Sequence, residues 1–207
     1  RAYKHRTAEW FDRLALTGAL QIVDAGGVAP FGLRVGPDAT PTAEEPLVFG
    51  RAEEAARVLS RRGVEKPLWA TAWGWRVGQG GGREEDGGWG GHDADRVARW
   101  IREGHAKARA EWPWLEAMFV WHLQPDAPAG DPVWGFALWS REGSETPAWR
   151  ALVDIASVRP APALATSEGT GSGAQSGGRP DGDAAGAGRP DAGPGAPRGT
   201  WVRGLAL

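Results

Sequence analysis

The chain has 207 residues, with 24 Lys and Arg against 26 Asp and Glu, so its formal net charge is −2. No basic run exceeds two residues, which argues against nucleic acid and anionic membrane as partners. Cysteine is absent, excluding disulfides, thiolate nucleophiles and thiolate metal sites, and the apolar runs, of which Ala117 to Trp121 is the longest clear one, are too short to span a bilayer. From Ser157 to Thr200, 26 of 44 positions are Gly, Pro or Ala, a composition that cannot bury a core. Folding capacity therefore rests with residues 1–156, which hold 12 of the 13 Trp.

Arg1 to Thr17 reads as a helix with Trp10, Phe11 and Leu14 on one face and Gly18 at the C-terminal cap position. Gln21 to Ala29 (QIVDAGGVA) is a short apolar run ending at Pro30, and predicts a strand feeding a loop from Pro30 to Pro46. Phe49, Ala52, Ala55, Ala56 and Leu59 recur at three and four residues and predict a second helix, stopped at Gly63. Lys66 to Trp73 has strand length. Asp93 can cap a long helix to about Trp112, with Val97, Trp100, Ile101, Gly104 and Ala108 inward, and Pro113 ends it. Leu115 to Leu123 is nearly all apolar, as expected of a strand covered by helices on both faces. Thr146 and Pro147 open a last helix through Trp149, Leu152, Val153 and Ala156.

Alternating helices and strands predict an α/β fold with parallel strands joined by crossovers. Three strands make either a small open sheet or the C-terminal part of a (β/α)₈ barrel. Long loops after each strand and short helix-to-strand connections favour the barrel, whose enzymes place their sites on that side.

Four segments carry a resemblance: VDAGGVAPFGL, KPLWATAWGW, WPWLEAMFVWHL and GSETPAWRAL. In this order and spacing they are similar to the C-terminal half of bacterial cellulase-like glycoside hydrolases of clan A, over about Leu14 to Ile155. The resemblance implies strands six to eight of a TIM barrel and a polysaccharide or oligosaccharide ligand. It also implies a missing N-terminal half as the barrel's complement, and an extracellular or cell-surface setting.

 The family pairs an acid/base Glu after the fourth strand with a nucleophile Glu at the end of the seventh, and the fourth strand would lie before Arg1. Arg1 in place of Met, with no leader after it, predicts an internal piece of a longer protein.

Relatives read like KPLWATEFGW in the seventh strand, so the nucleophile position is held here by Ala72, and a methyl group cannot do a carboxylate's work. The family's sugar platform, the eighth-strand Trp, corresponds to Trp121, with His122 where relatives carry Asn. Phe31 stands for the family's Tyr and Ala29 for its His or Gln. Trp73, Trp75 and Trp89 are expected to border the cleft, and Trp69, Trp100, Trp112 and Trp149 to pack in the core. Glu84, Glu85 and Asp86, and Asp126 and Asp131, are stand-in carboxylates in Gly- or Pro-rich loops that offer little support. The four His lack ligand spacing, so no metal and no cofactor are expected. The chemistry left open is that of a hydrolase relative inactive as this piece, a carbohydrate-binding pseudoenzyme, or a structural domain. GGRPD and AGRPD, ten residues apart at Gly177 and Ala187, suggest a linker over 157–200, with 201–207 (WVRGLAL) opening a further module.

Overall fold

A computed structural model of the chain describes residues 7–78 and 89–157. The proposed linker beyond Ser157, the segment 201–207 and the acidic loop Glu84, Glu85 and Asp86 lie outside the described residues.

The alternation read from the sequence is present: α1 (Thr7–Leu16), β1 (Gly26–Val28), α2 (Ala52–Arg61), β2 (Leu68–Trp73), α3 (Ala94–Glu111), β3 (Leu115–Val120) and α4 (Pro147–Ser157). The three strands form one parallel sheet in the order β1-β2-β3. Helix starts follow local chemistry. Asp93 Oδ1 accepts from Arg96 N at 2.8 Å and caps α3. Thr146 Oγ1 accepts from Trp149 N at 3.3 Å, and Pro147 at the first helical position costs α4 no hydrogen bond.

All three strands are shorter than expected, and β1 and β2 depart furthest from the reading. Gln21, the first residue of the apolar run, closes a 3₁₀ turn over Ala19–Gln21, and β1 begins only where Gly26 pairs with Leu68. An edge strand is held by one neighbour alone, so Ile22 and Val23, which lie outside that ladder, stay exposed. In β2 the register shifts between Ala70 and Trp73. This irregularity breaks the alternation, and Trp73 joins Leu68 and Ala70 in the core while Trp69 and Thr71 are exposed.

The core lies between the sheet and its helices. Phe49 anchors it, 5.8 Å from the Trp73 ring, 5.4 Å from Trp75 and 4.9 Å from Trp112. Helix α3 meets this aromatic group at Gly104. Phe11, Val58, Leu59, Val97, Ile101 and Leu115 fill the remaining space. The opposite sheet face is a correction to the expected two-sided cover: Trp69 is 41% and Phe119 43% exposed, with ring centroids 6.2 Å apart. The expected core role of Trp69 is corrected with it. No described helix is long and apolar enough to cross a membrane.

Gly104 gives the fold a direct test. A Cβ there would lie 3.0 Å from Trp75 Cη2 and 3.4 Å from both Phe49 Cζ and Trp73 Cζ3. Gly104→Val is expected to lower stability by about 1–3 kcal/mol through overpacking, measured by chemical denaturation; an unchanged midpoint would contradict this packing.

Candidate functional site

Parallel strands joined by crossovers all end on one side, and the loops leaving β1, β2 and β3 meet there. Phe31 follows β1 and makes an isolated parallel bridge to Gly74, just after β2. Trp121 follows β3, its backbone N–H donating to Trp73 O at 3.0 Å. Trp89 arrives from the long loop after β2, and Phe136 from the 3₁₀ turn Pro132–Phe136.

These four rings touch one another in every pairing. Phe31 lies 5.3 Å from Trp121, 6.2 Å from Trp89 and 5.8 Å from Phe136. Trp89 lies 6.3 Å from Trp121 and 5.7 Å from Phe136, while Trp121 and Phe136 are stacked with nearly parallel planes, 6.2 Å apart at 18°. Phe136 is buried, Phe31 and Trp121 are half-buried, and Trp89 is 39% exposed. The cluster thus has a buried base and an open side.

Close backbone approaches hold the loops that carry it. Arg76 Nε donates to Gly90 O at 2.6 Å, beside Trp89. Gly90 has φ +72°, and a Cβ there would fall 2.4 Å from Leu33 O, so only glycine suits the crossing. His92 Nε2 donates to Leu33 O at 2.9 Å, since a carbonyl can only accept. Val77 N donates to Gly135 O at 2.7 Å, joining the loop of Trp89 to that of Phe136. Trp75 Nε1 donates to Val35 O at 2.7 Å and packs over Gly32, fixing the loop of Phe31.

Trp73 and Trp75, expected at the cleft, are each 1% exposed and packed in the helix-side core, leaving no indole face for a ligand. Trp75 acts behind the site by holding the Phe31 loop. Ala72 is half-buried in β2, one residue before Trp73. His122 is joined to Trp121 by a cis peptide, and its Nε2 is buried without a hydrogen-bond partner. Burial holds its pKa below the ordinary 6.5, opposed by a backbone hydrogen bond with Val133. Burial thus favours the neutral imidazole beside Trp121.

Of the two carboxylates after β3, one has a structural role. Asp131 Oδ1 accepts from Val133 N at 2.9 Å and caps the 3₁₀ turn, and Asp126 is exposed. Phe136 and the carboxylates Glu44 and Glu45 were not singled out from the sequence. A cleft of about 660 Å³ runs from Phe31 and Trp89 along Val28 and Ala29 to Glu44, Glu45, Arg34 and Arg51. Arg34 Nε lies 3.9 Å from Glu45 Oε2, so the charges there largely offset one another. Among the described residues no group of three or more His, Asp or Glu is placed to hold a metal. Compared with known proteins, the chain matches no family model and no curated protein.

Two histidines give a pH test. His105 is also held below its ordinary 6.5, by burial and then by the Arg109 charge. A depressed histidine binds its proton more readily in the unfolded chain, so stability is complete above about 6.5 and falls as the pH drops below it. Asp12, Asp93 and Glu142 are lowered instead, and their contributions are lost only below ordinary values of 3.8 to 4.5. The melting temperature is expected to decline between roughly pH 6.5 and 5, and less steeply in His105→Gln/His122→Asn. Identical slopes in both proteins would refute the assignment.

Proposed function

We propose that the chain is the C-terminal part of a (β/α)₈ barrel of the cellulase-like glycoside hydrolase kind, binding a β-linked glycan through its aromatic cluster without cleaving it. The observation that carries this reading is the contact of Phe31, Trp89, Trp121 and Phe136 at the C-terminal ends of three parallel strands. Pyranose rings present C–H faces that stack on indole, and a half-buried Trp supplies a rigid face at little entropic cost. The resemblance of the surrounding segments points the same way, and a polysaccharide ligand fits work outside the cell or at its surface.

Hydrolysis is left out for a chemical reason. A retaining glycosidase needs two carboxyl groups about 5 to 5.5 Å apart. Ala72 stands at the nucleophile position, and Asp131 is engaged as a cap.

The barrel part of the reading rests on where apolar surface is exposed. Parallel sheets are ordinarily covered on both faces. Here Trp69 and Phe119 lie bare on the sheet, Trp10, Leu16, Ile22 and Val23 are exposed around the first helix and strand, and Val153 on the last helix. A complementary set of β/α units would cover these surfaces and pair the free edges of β1 and β3.

Two measurements follow. Trp121→Ala is expected to weaken binding of β-glucan or xylan oligosaccharides by roughly tenfold to a hundredfold, the equivalent of about 1–3 kcal/mol, in calorimetric titration. Equal binding by both proteins would remove the platform. The chain alone is expected to self-associate as its concentration rises, and Trp69→Thr/Phe119→Thr to do so less at unchanged helix content, by sedimentation velocity and circular dichroism. Equal association would argue that the bare face needs no cover.

A further inference from the structure

Helix α1 packs on α2, and α3 on α4, whereas α2 and α3 make little direct backbone contact. The gap between these pairs is crossed by a hydrogen bond from Trp112 Nε1 to Glu53 Oε1, at 3.1 Å. Three rings stack through it. Phe49 lies on Trp112 at 4.9 Å and 25°, and Trp112 on Trp114 at 5.2 Å and 21°. Exposure rises along the stack: Phe49 and Trp112 are buried and Trp114 is half-buried, so Trp114 is its outermost ring.

Trp114 borders a groove of about 330 Å³, walled by Glu53, Ala56, Arg57 and Ser60 of α2 and by Glu111 of α3. The α2 residues recur at three and four positions, which puts them on one helical face. The groove therefore joins one aromatic ring to a hydroxyl, a guanidinium and a carboxylate held in place by its bond from Trp112.

We propose that this groove is a second binding site, for one pyranose unit of a glycan, with Trp114 as its platform. The inference rests on the glycan class proposed above but on none of the residues of the aromatic cluster. A pyranose has an apolar face for Trp114 and equatorial hydroxyls for Ser60, Arg57 and Glu53. A quaternary ammonium fits less well. Such cations favour open aromatic faces, and Trp112 is 1% exposed. Arg57 would also repel a cation, and the Glu111 charge is met by Lys107 Nζ at 2.6 Å.

The two sites lie at opposite ends of one strand. Trp114 immediately precedes β3 and Trp121 immediately follows it, and six residues of strand span about 20 Å. A polysaccharide can reach both only as a long chain, whereas short oligosaccharides occupy each independently.

The test follows the tryptophan indole N–H resonances of the ¹⁵N-labelled chain during titration with cellohexaose, xylohexaose and choline. The Trp114 resonance is expected to move with an oligosaccharide and not with choline. Trp114→Ala should remove that second binding event, and Arg57→Ala, a change at an exposed position, should weaken it severalfold; Trp121→Ala should leave it intact. Movement of Trp121 alone would overturn the second site and leave the aromatic cluster standing. Movement of Trp114 alone would support the second site and remove the role of Trp121. Response of Trp114 to choline alone would overturn the pyranose assignment, and no response to any oligosaccharide would overturn both sites.

Discussion

A parallel strand reaches its neighbour only through a crossover, and the crossovers in this chain are helices on one side of the sheet. That single constraint sorts the molecule. It gathers the aromatic core between β1, β2, β3 and helices α1 to α4, leaves Trp69 and Phe119 on an exposed face, and delivers three loops to one end. The ring cluster exists because those loops have nowhere else to go. Its geometry is then refined by contacts too close for side chains: Gly90 against Leu33 O, Gly135 against Val77 O and Gly32 against the Trp75 indole.

The helices were legible because each carries a period, together with a start signal in α3 and α4 and a stop glycine, Gly18 or Gly63, after α1 and α2. Asp93 and the Thr146–Pro147 pair are capping chemistry that the structure uses directly. The β2 side-chain directions were not legible. Alternation in LWATAW assigns Trp69 and Trp73 to one face, and only the register shift after Ala70 separates them. That shift comes from pairing with β3, which no local pattern contains. Trp75 was misread for a related reason: it lies beyond β2, and its indole is turned inward by a carbonyl 40 residues earlier, at Val35.

At the site, residues adjoining strand ends were the readable ones. Phe31 and Trp121 each stand just past a strand, so parallel pairing alone brings them together, and the structure has them 5.3 Å apart. Phe136 escaped notice because it comes from a turn 16 residues beyond β3, placed by Val77 and by the Asp131 cap. Glu44 and Glu45 escaped for the same reason, in a long loop without a periodic pattern.

Binding and bond cleavage make separate demands on this scaffold. Stacking requires a ring held at a fixed tilt, and that is supplied by loop crossings made of glycine backbone, Arg76 and His92, none of them a catalytic carboxylate. Cleavage requires two acids at a set separation in a firm surround. On the proposed reading Ala72 of β2 stands where one member of that pair would be, and it takes no part in the ring contacts of the cluster. On that reading the ring cluster is held by contacts separate from the strand position where an acid would act, so a glycan surface would persist without the acids.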